Sequence, residues 1–183
     1  MLRELALHLL DIAENSVAAQ AKNIRITIEE DTCQDTLRML VVDDGVGMSP
    51  ELVAKVIDPF TTSRTTRKVG LGIPLLKAAA EACEGWLKID SAPGAGTTVE
   101  VVFKRSHIDR MPLGNLAETF LTLFICTPDV HWLFEYRIDS QEFLFDDVVI
   151  KDELQGVPLS EPDVISFVRD YIQSGIESVK SQD

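Results

Sequence analysis

The chain has 183 residues, of which 45% are hydrophobic, so it can bury the core of one ordinary domain and carry a small appendage. Its formal net charge of -13 opposes phosphate over most of the surface, which argues against nonspecific binding to nucleic acids or anionic membranes. No apolar run is long enough to span a bilayer, and Cys33, Cys83 and Cys126 are scattered, so we expect a soluble, cytoplasmic protein with buried, unpaired cysteines.

Hydrophobic periodicity predicts the elements of residues 1 to 105. Residues 2 to 18 place apolar side chains on one helical arc and His8, Asp11 and Asn15 on the opposite, polar face. Strands are predicted at 23–30, 37–42, 86–90 and 97–103, and further helices begin after Ser49 and at Gly70. This order predicts an α/β (α+β) fold, a two-layer sandwich with the helices on one face of a mixed sheet.

Residues 106 to 183 are predicted to form a small α+β extension of the first domain. A helix is expected at 116–125, a hairpin from 132 to 145 and a terminal helix after Pro162. Trp132, Phe134 and Tyr136 alternate with polar residues along the first hairpin strand. We expect this aromatic face to pack on the core rather than to form a partner site.

Asp11 and Asn15 lie one helical turn apart, so their oxygens can approach the same metal-phosphate group. Mg²⁺ prefers oxygen ligands and keeps several waters, so Asn15 together with phosphate oxygens could complete its coordination. Asp11 could orient or deprotonate a water or a receiving hydroxyl. In isolation, however, the pair is more typical of the solvated face of an amphipathic helix.

Asp43 follows an apolar strand, where its carboxylate could accept a hydrogen bond from an exocyclic amine and so select adenine over guanine. Gly45 and Gly47 follow it and permit close approach or a simple turn. Gly70 and Gly72 precede a helix, whose first N–H groups form a phosphate site.

A basic cluster lies between these motifs, in the predicted loop from 58 to 68. Arg64, Arg67 and Lys68 are either solvated charges on that loop or cations that contact a bound polyphosphate. Their position between two candidate nucleotide motifs favours the second interpretation.

With these motifs in this order, residues 8 to about 103 resemble the ATP-binding domain shared by gyrase, heat-shock chaperone ATPases, sensor histidine kinases and mismatch-repair ATPases, the GHKL superfamily with its Bergerat-type fold. The segment from Asp58 to Thr62 is similar to the histidine-kinase version of the start of the ATP lid. The resemblance implies ATP and Mg²⁺ as cofactors, with Asn15 as the metal ligand and Asp43 as the adenine reader. It implies nucleotide contacts at Gly45, Gly47, Met48, Phe60, Thr61, Thr62, Arg64, Arg67, Lys68, Gly70, Leu71, Gly72 and Thr97.

Three positions depart from the family pattern. Asp11 stands where hydrolysing members carry glutamate, and its shorter side chain weakens the case for water activation. Ala18 stands where histidine kinases often carry a basic residue, so a cation at the phosphates must come from the basic cluster. Lys68 replaces a glycine of the second glycine motif, which predicts a differently built lid.

The resemblance leads to a histidine-kinase-like protein that lacks a dimerising, phosphoacceptor domain and transfers phosphate to a separate protein partner. None of the three histidines has an acceptor-like context: His8 faces the predicted site as a hydrogen-bonded polar residue, His131 is an ordinary hairpin residue and His107 has no assigned role. The alternative is a nucleotide-gated interaction protein with little turnover, whose extension supplies the binding surface. A dimerising, ATP-operated clamp is the third possibility, and the acidic chain fits it less well because it offers no evident nucleic-acid surface.

Overall fold

The computed structural model describes residues 4–58 and 72–181, and this part of the chain contains six helices and six strands. The helices are α1 (Leu5–Ala18), α2 (Pro50–Ile57), α3 (Gly72–Ala82), α4 (Leu116–Cys126), α5 (Asp147–Glu153) and α6 (Pro162–Lys180). The strands are β1 (Asn23–Asp31), β2 (Thr36–Asp43), β3 (Trp86–Ser91), β4 (Thr97–Lys104), β5 (His131–Ile138) and β6 (Gln141–Asp146).

All six strands form one mixed sheet in the order β3-β4-β2-β1-β5-β6. The pair β1 and β5 is parallel, and the other neighbours are antiparallel. A parallel pair needs a crossover connection, and α4 lies in the segment that provides it, packed against α1. The predicted fold class is therefore confirmed, and the C-terminal region continues the sheet of the first region.

Alternation along the strands determines which side chains enter the core. In β2, Leu37, Met39 and Val41 are buried while their neighbours are partly exposed. In β5, Trp132, Phe134 and Tyr136 are fully buried, so the predicted packing of the aromatic face on the core is confirmed. The ring of Phe134 lies 4.2 Å from that of Phe120 in α4, centroid to centroid. These contacts attach the hairpin to the helical layer.

The opposite face of the sheet carries ion pairs between strands. Arg38 on β2 contacts Glu100 on β4 at 2.6 Å and Glu29 on β1 at 3.2 Å. Arg137 on β5 contacts the same Glu29 at 3.8 Å and Glu142 on β6 at 3.1 Å. Because all of these side chains except Glu100, at 24%, remain about one-third exposed or more, most such pairs contribute at most about 1 kcal/mol each and chiefly favour one register.

Two helices begin at the residues that capping and proline signals predict. Ser49 caps α2 by accepting a hydrogen bond from Leu52 N–H, and Pro50 is the first helical residue, as predicted. Pro162 likewise begins α6. No helix within the described ranges is both long enough and apolar enough to cross a membrane.

The cysteine prediction is only partly correct. All three thiols are free, as expected, and Cys83 is buried. Cys33 and Cys126 are exposed, so the prediction of buried side chains is wrong for them. Cys33 lies in the β1–β2 turn and Cys126 is the last residue of α4, and neither place is covered by another element. The division into domains 1–105 and 106–183 stays a prediction.

Candidate functional site

Asp43, the last residue of β2, is held by three hydrogen bonds. Its Oδ1 accepts from the N–H groups of Gly45 at 2.9 Å and Thr97 at 3.2 Å. Its Oδ2 accepts from the hydroxyl of Ser16, in α1, at 2.5 Å. The side chain is 8% exposed, so its orientation is fixed by these partners rather than by water. A carboxylate oxygen has more than one lone pair, so Oδ2 can still accept from an incoming amine.

The adjacent Asp44 faces a different set of groups. Its Oδ1 accepts from the N–H groups of Lys22 at 2.7 Å and Asn23 at 2.9 Å, and its Oδ2 accepts from Asn23 Nδ2 at 2.6 Å. These bonds, led by that of the Asn23 side chain, lower the pKa of Asp44. Asp44 therefore attaches the loop after β2 to the start of β1, whereas Asp43 bonds to other groups.

Two glycines of this region sit where backbone segments meet. Gly47 has φ of +67°, and a Cβ there would lie 1.9 Å from the carbonyl oxygen of Ala92. Gly96 has φ of +77°, and its Cβ would lie 1.9 Å from the carbonyl oxygen of Asp43. Both glycines have a left-handed conformation and contact the other loop. The loop after β2 and the loop between β3 and β4 can therefore pack this closely only because neither position carries a side chain. Gly45 adds a close contact with Ala19.

Ser91, at the end of β3, joins the two loops through its hydroxyl. It accepts from Met48 N–H at 2.8 Å and donates to the carbonyl oxygen of Gly96 at 2.9 Å. Thr97 Oγ1 also lies 2.9 Å away, and it is the donor because Ser91 has one hydroxyl hydrogen. Met48 and Thr97 are thus brought to the same end of the sheet as Asp43.

The other end of the candidate site is formed by α1 and the start of α3. Asn15 is exposed on α1, and Asp11 is partly buried one turn earlier. The backbone of Gly72 passes so close to Asp11 that a Cβ would lie 2.2 Å from its Oδ2. The structure therefore brings Asp11 to the first turn of α3, where unpaired N–H groups favour anions.

His8 lies one turn before Asp11 on the predicted polar face of α1, but it is buried there rather than solvated. Burial lowers the pKa of its imidazole, although the Asp11 carboxylate and a hydrogen bond with the Gly72 backbone oppose this change. Its Nδ1 has no hydrogen-bond partner among the described residues. The helical periodicity of residues 2 to 18 could not reveal this burial, because α3, which covers His8, is distant in sequence.

The donor set at this end fits Mg²⁺. The available groups are the amide oxygen of Asn15 and the carboxylate of Asp11, both hard oxygen ligands on one helical face. Mg²⁺ keeps several waters and takes few protein ligands, so Asn15, the predicted metal ligand, fits such a site with Asp11 nearby.

Several predicted nucleotide contacts lie outside the described residues, and their roles stay predictions. They are Phe60, Thr61, Thr62, Arg64, Arg67, Lys68, Gly70 and Leu71. Two side chains of the site were missed at the sequence level, Ser16 and Ser91. An isolated serine gives no periodic or motif signal, and both act on residues at least 27 positions away.

Comparison with known proteins identifies a family and similar folds. A family model described as "Histidine kinase-, DNA gyrase B-, and HSP90-like ATPase" matches residues 1–107. The chain is 31% identical over 111 residues to the non-motile and phage-resistance protein of Caulobacter vibrioides, covering 56% of this chain and 13% of that protein. It is 32% identical over 120 residues to the cell-division control histidine kinase PdhS of Brucella abortus, covering 58% of this chain and 11% of that protein.

The histidine protein kinase DivJ of Caulobacter vibrioides is 31% identical over 96 residues, covering 50% of this chain and 16% of that protein. The chain thus spans between 11% and 16% of these relatives. Among solved structures, the N-terminal domain of a DNA repair protein superposes with a TM-score of 0.55 at 14% identity, covering 78% of this chain and 52% of that chain. The Aquifex aeolicus MutL ATPase domain complexed with ADP gives 0.50 at 16% identity, covering 78% and 62%. These two likenesses support the fold alone.

Proposed function

Because the chain belongs to the family of histidine kinase-, DNA gyrase B- and HSP90-like ATPases, and its family domain is an ATP-binding one, we propose that it transfers phosphate from Mg-ATP to a separate protein partner. Its three free thiols support placing it in a reducing, cytoplasmic compartment.

The observation that carries the proposal is the contact between Asp11 and Gly72. It puts a carboxylate, and with it the helix that bears Asn15, beside the first turn of α3. A phosphate at that turn would meet backbone N–H groups, while a cation held by Asn15 would lie on its other side. This is the arrangement that phosphoryl transfer needs, since its catalysis depends mainly on position and charge compensation.

Each residue has a distinct role in this proposal. Asp43 accepts a hydrogen bond from the exocyclic amine of adenine and fixes the base, while Gly45, Gly47, Met48 and Thr97 form the surrounding wall. Asn15 holds Mg²⁺, which neutralises charge on the phosphates when bound. Asp11 accepts the proton of the receiving group. Arg64, Arg67, Lys68, Gly70, Leu71 and Gly72 are proposed phosphate contacts, and Phe60, Thr61 and Thr62 begin the lid.

A second function is favoured by the same contact. Aspartate is one methylene shorter than the glutamate of hydrolysing relatives, and its Oδ2 packs against the Gly72 backbone, which restricts its reach toward a water. ATP binding without rapid turnover would then order the lid and change a partner-binding surface. In that case the protein is a nucleotide-gated switch, with a protein partner or a second copy as its target.

The decisive experiment follows γ-labelled phosphate from Mg-ATP supplied to the purified chain. Label is scored on the chain, on candidate partner proteins and as free phosphate, with Asn15→Ala as the loss-of-metal variant. Asn15-dependent label on a protein supports the kinase proposal, and Asn15-dependent free phosphate identifies a slow ATPase instead. If ATP binds and all label stays on ATP with every partner tried, the nucleotide-gated switch replaces the kinase proposal.

A further inference from the structure

A second cluster of ligand-type side chains lies at the far end of the β5–β6 hairpin. His131 begins β5, Asp146 ends β6 and Asp147 begins α5. One ligand atom from each lies within 4.8 Å of the other two. His131 Nε2 is 3.1 Å from Asp146 Oδ1 and 3.6 Å from Asp147 Oδ1. Three separate elements therefore direct nitrogen and oxygen atoms to one point.

Asp147 is the unusual member because its side chain is fully buried and its Oδ1 has no hydrogen-bond partner among the described residues. Lys151 Nζ lies 2.6 Å from Oδ2 and compensates part of the charge. The same Nζ also donates to the carbonyl oxygens of Pro128 at 2.7 Å and Val130 at 2.9 Å. Oδ1 is thus left facing His131, and a buried, unsatisfied carboxylate oxygen is costly unless a cation approaches it.

The hydrogen-bond network also fixes the tautomer of His131. Asn23 Nδ2 donates to the carboxylate of Asp44, so the amide oxygen of Asn23 points to His131 Nδ1, at 3.2 Å. An oxygen accepts only, so Nδ1 must carry a hydrogen. In the neutral ring the lone pair therefore lies on Nε2, which faces Asp146 and Asp147 and can bind a metal ion.

We propose that His131, Asp146 and Asp147 bind one divalent transition-metal ion of the Zn²⁺ type, with water as the fourth ligand. Tetrahedral bonds of about 2.0–2.1 Å separate ligand atoms by about 3.3 Å, and the observed separations from Nε2 are 3.1 and 3.6 Å. The imidazole nitrogen disfavours Mg²⁺ and Ca²⁺, which select oxygen ligands.

The surroundings of the cluster suit a bound ion. Asn23 acts as the outer partner that orients the imidazole, as such partners do in metal sites. His131 and Asp146 are each more than one-third exposed, which gives the cluster access from solvent. The site lies in the C-terminal region and is independent of the proposed phosphotransfer.

The test is a calorimetric titration of the full-length, chelator-treated chain with Zn²⁺, in a Cys33→Ser, Cys126→Ser background that removes the exposed thiols. We expect one equivalent of Zn²⁺ to bind, and His131→Ala to weaken binding by at least about 100-fold. The exchangeable analogue Co²⁺ should give visible absorption of a tetrahedral complex that His131→Ala abolishes. His107→Ala, which removes a histidine outside the cluster, should leave binding unchanged.

His131 is 38% exposed, so its replacement should leave the fold intact, which circular dichroism verifies. Loss of Zn²⁺ binding in a folded His131→Ala chain supports the site. The proposal is overturned if the parent chain binds no stoichiometric Zn²⁺, which would make the cluster a set of side-chain contacts without a metal. It is equally overturned if His131→Ala keeps the parent affinity, or if His107→Ala weakens binding as much as His131→Ala.

Discussion

Replacing Asp43 with asparagine changes one hydrogen-bond acceptor into a donor at nearly constant shape. The amide oxygen can still accept from the N–H groups of Gly45 and Thr97, which Asp43 now binds at 2.9 and 3.2 Å. The new Nδ2 takes the place of Oδ2, and the hydroxyl of Ser16 can rotate to accept from it. The loop should therefore keep its conformation while the acceptor for the adenine amine is lost.

The expected loss follows from the energy of one charge-assisted hydrogen bond. Hydrogen bonds to charged groups contribute about 1.5–3 kcal/mol, so Asp43→Asn should weaken Mg-ATP binding by about 10- to 150-fold. Binding of GTP should fall less or improve, because Nδ2 can donate to the guanine O6 that the carboxylate repels. Isothermal titration of both nucleotides against the parent chain and the variant measures each effect.

The neighbouring carboxylate supplies the matched control. Asp44→Asn removes the same charge from the same loop, but Asp44 is bonded to Lys22 and Asn23 and not to the base pocket. It should change ATP affinity by less than about threefold. Equal losses in the two variants would show that general negative charge, and not a specific acceptor at Asp43, governs binding. Unchanged ATP affinity in a folded Asp43→Asn chain would refute the assignment altogether.

Two further predictions concern the phosphate end of the site. Gly72→Ala should destabilise the chain by about 1–3 kcal/mol in urea unfolding, because its Cβ would overlap Asp11 Oδ2 at 2.2 Å. In an Asp11→Ala background the nearest remaining atom of residue 11 is Cβ at 3.6 Å, so the same substitution should be neutral or stabilise by up to about 1 kcal/mol; destabilisation equal in both backgrounds would contradict the contact. Because the pKa of His8 is lowered in the folded chain, its imidazole is protonated at a higher pH in the unfolded chain than in the folded one. The free energy of unfolding should therefore fall as the pH drops below about 6.5. Urea unfolding at about pH 7.5 and about pH 5.5 measures this change. The free energy of unfolding should fall less between the two pH values for His8→Gln than for His107→Gln, and an equal fall would exclude a contribution from His8.

Much of the fold could be predicted from the sequence because its signals are local. Alternation located β1 and β5 and assigned Trp132, Phe134 and Tyr136 to the buried face. Caps and prolines located the starts of α2 and α6. The sheet order was not predictable in this way, because alternation shows which face is buried but not which strand is the neighbour. The parallel pairing of β5 with β1 joins residues more than 100 positions apart.

The candidate site likewise has a part that local sequence signals predict and a part that depends on contacts between distant residues. Asp43, Gly45 and Gly47 follow one strand in an unbroken motif, so the sequence alone could suggest a base pocket. The groups that hold Asp43 in place, Ser16 among them, come from other elements and carry no motif. α5, a helix of seven residues, was also missed, because so short a segment gives no clear period. With α5 the cluster around Asp147 escaped notice, and His131 was taken for an ordinary hairpin residue.

Asp44 links the nucleotide site with the proposed metal site, and this makes the two separable by experiment. In Asp44→Asn, the new Nδ2 would face the Nδ2 of Asn23 across the present 2.6 Å contact, so the Asn23 amide should rotate to offer its oxygen instead. Its NH₂ group would then face His131 Nδ1, which favours the tautomer with hydrogen on Nε2 and blocks that ligand atom. Loss of such an outer partner typically costs about 10- to 100-fold in metal affinity. Asp43→Asn should therefore weaken ATP and spare Zn²⁺, whereas Asp44→Asn should weaken Zn²⁺ and spare ATP. If calorimetry shows that both variants weaken both ligands in parallel, the two carboxylates act through their charge or through one shared loop conformation, and the separate roles assigned to them are wrong.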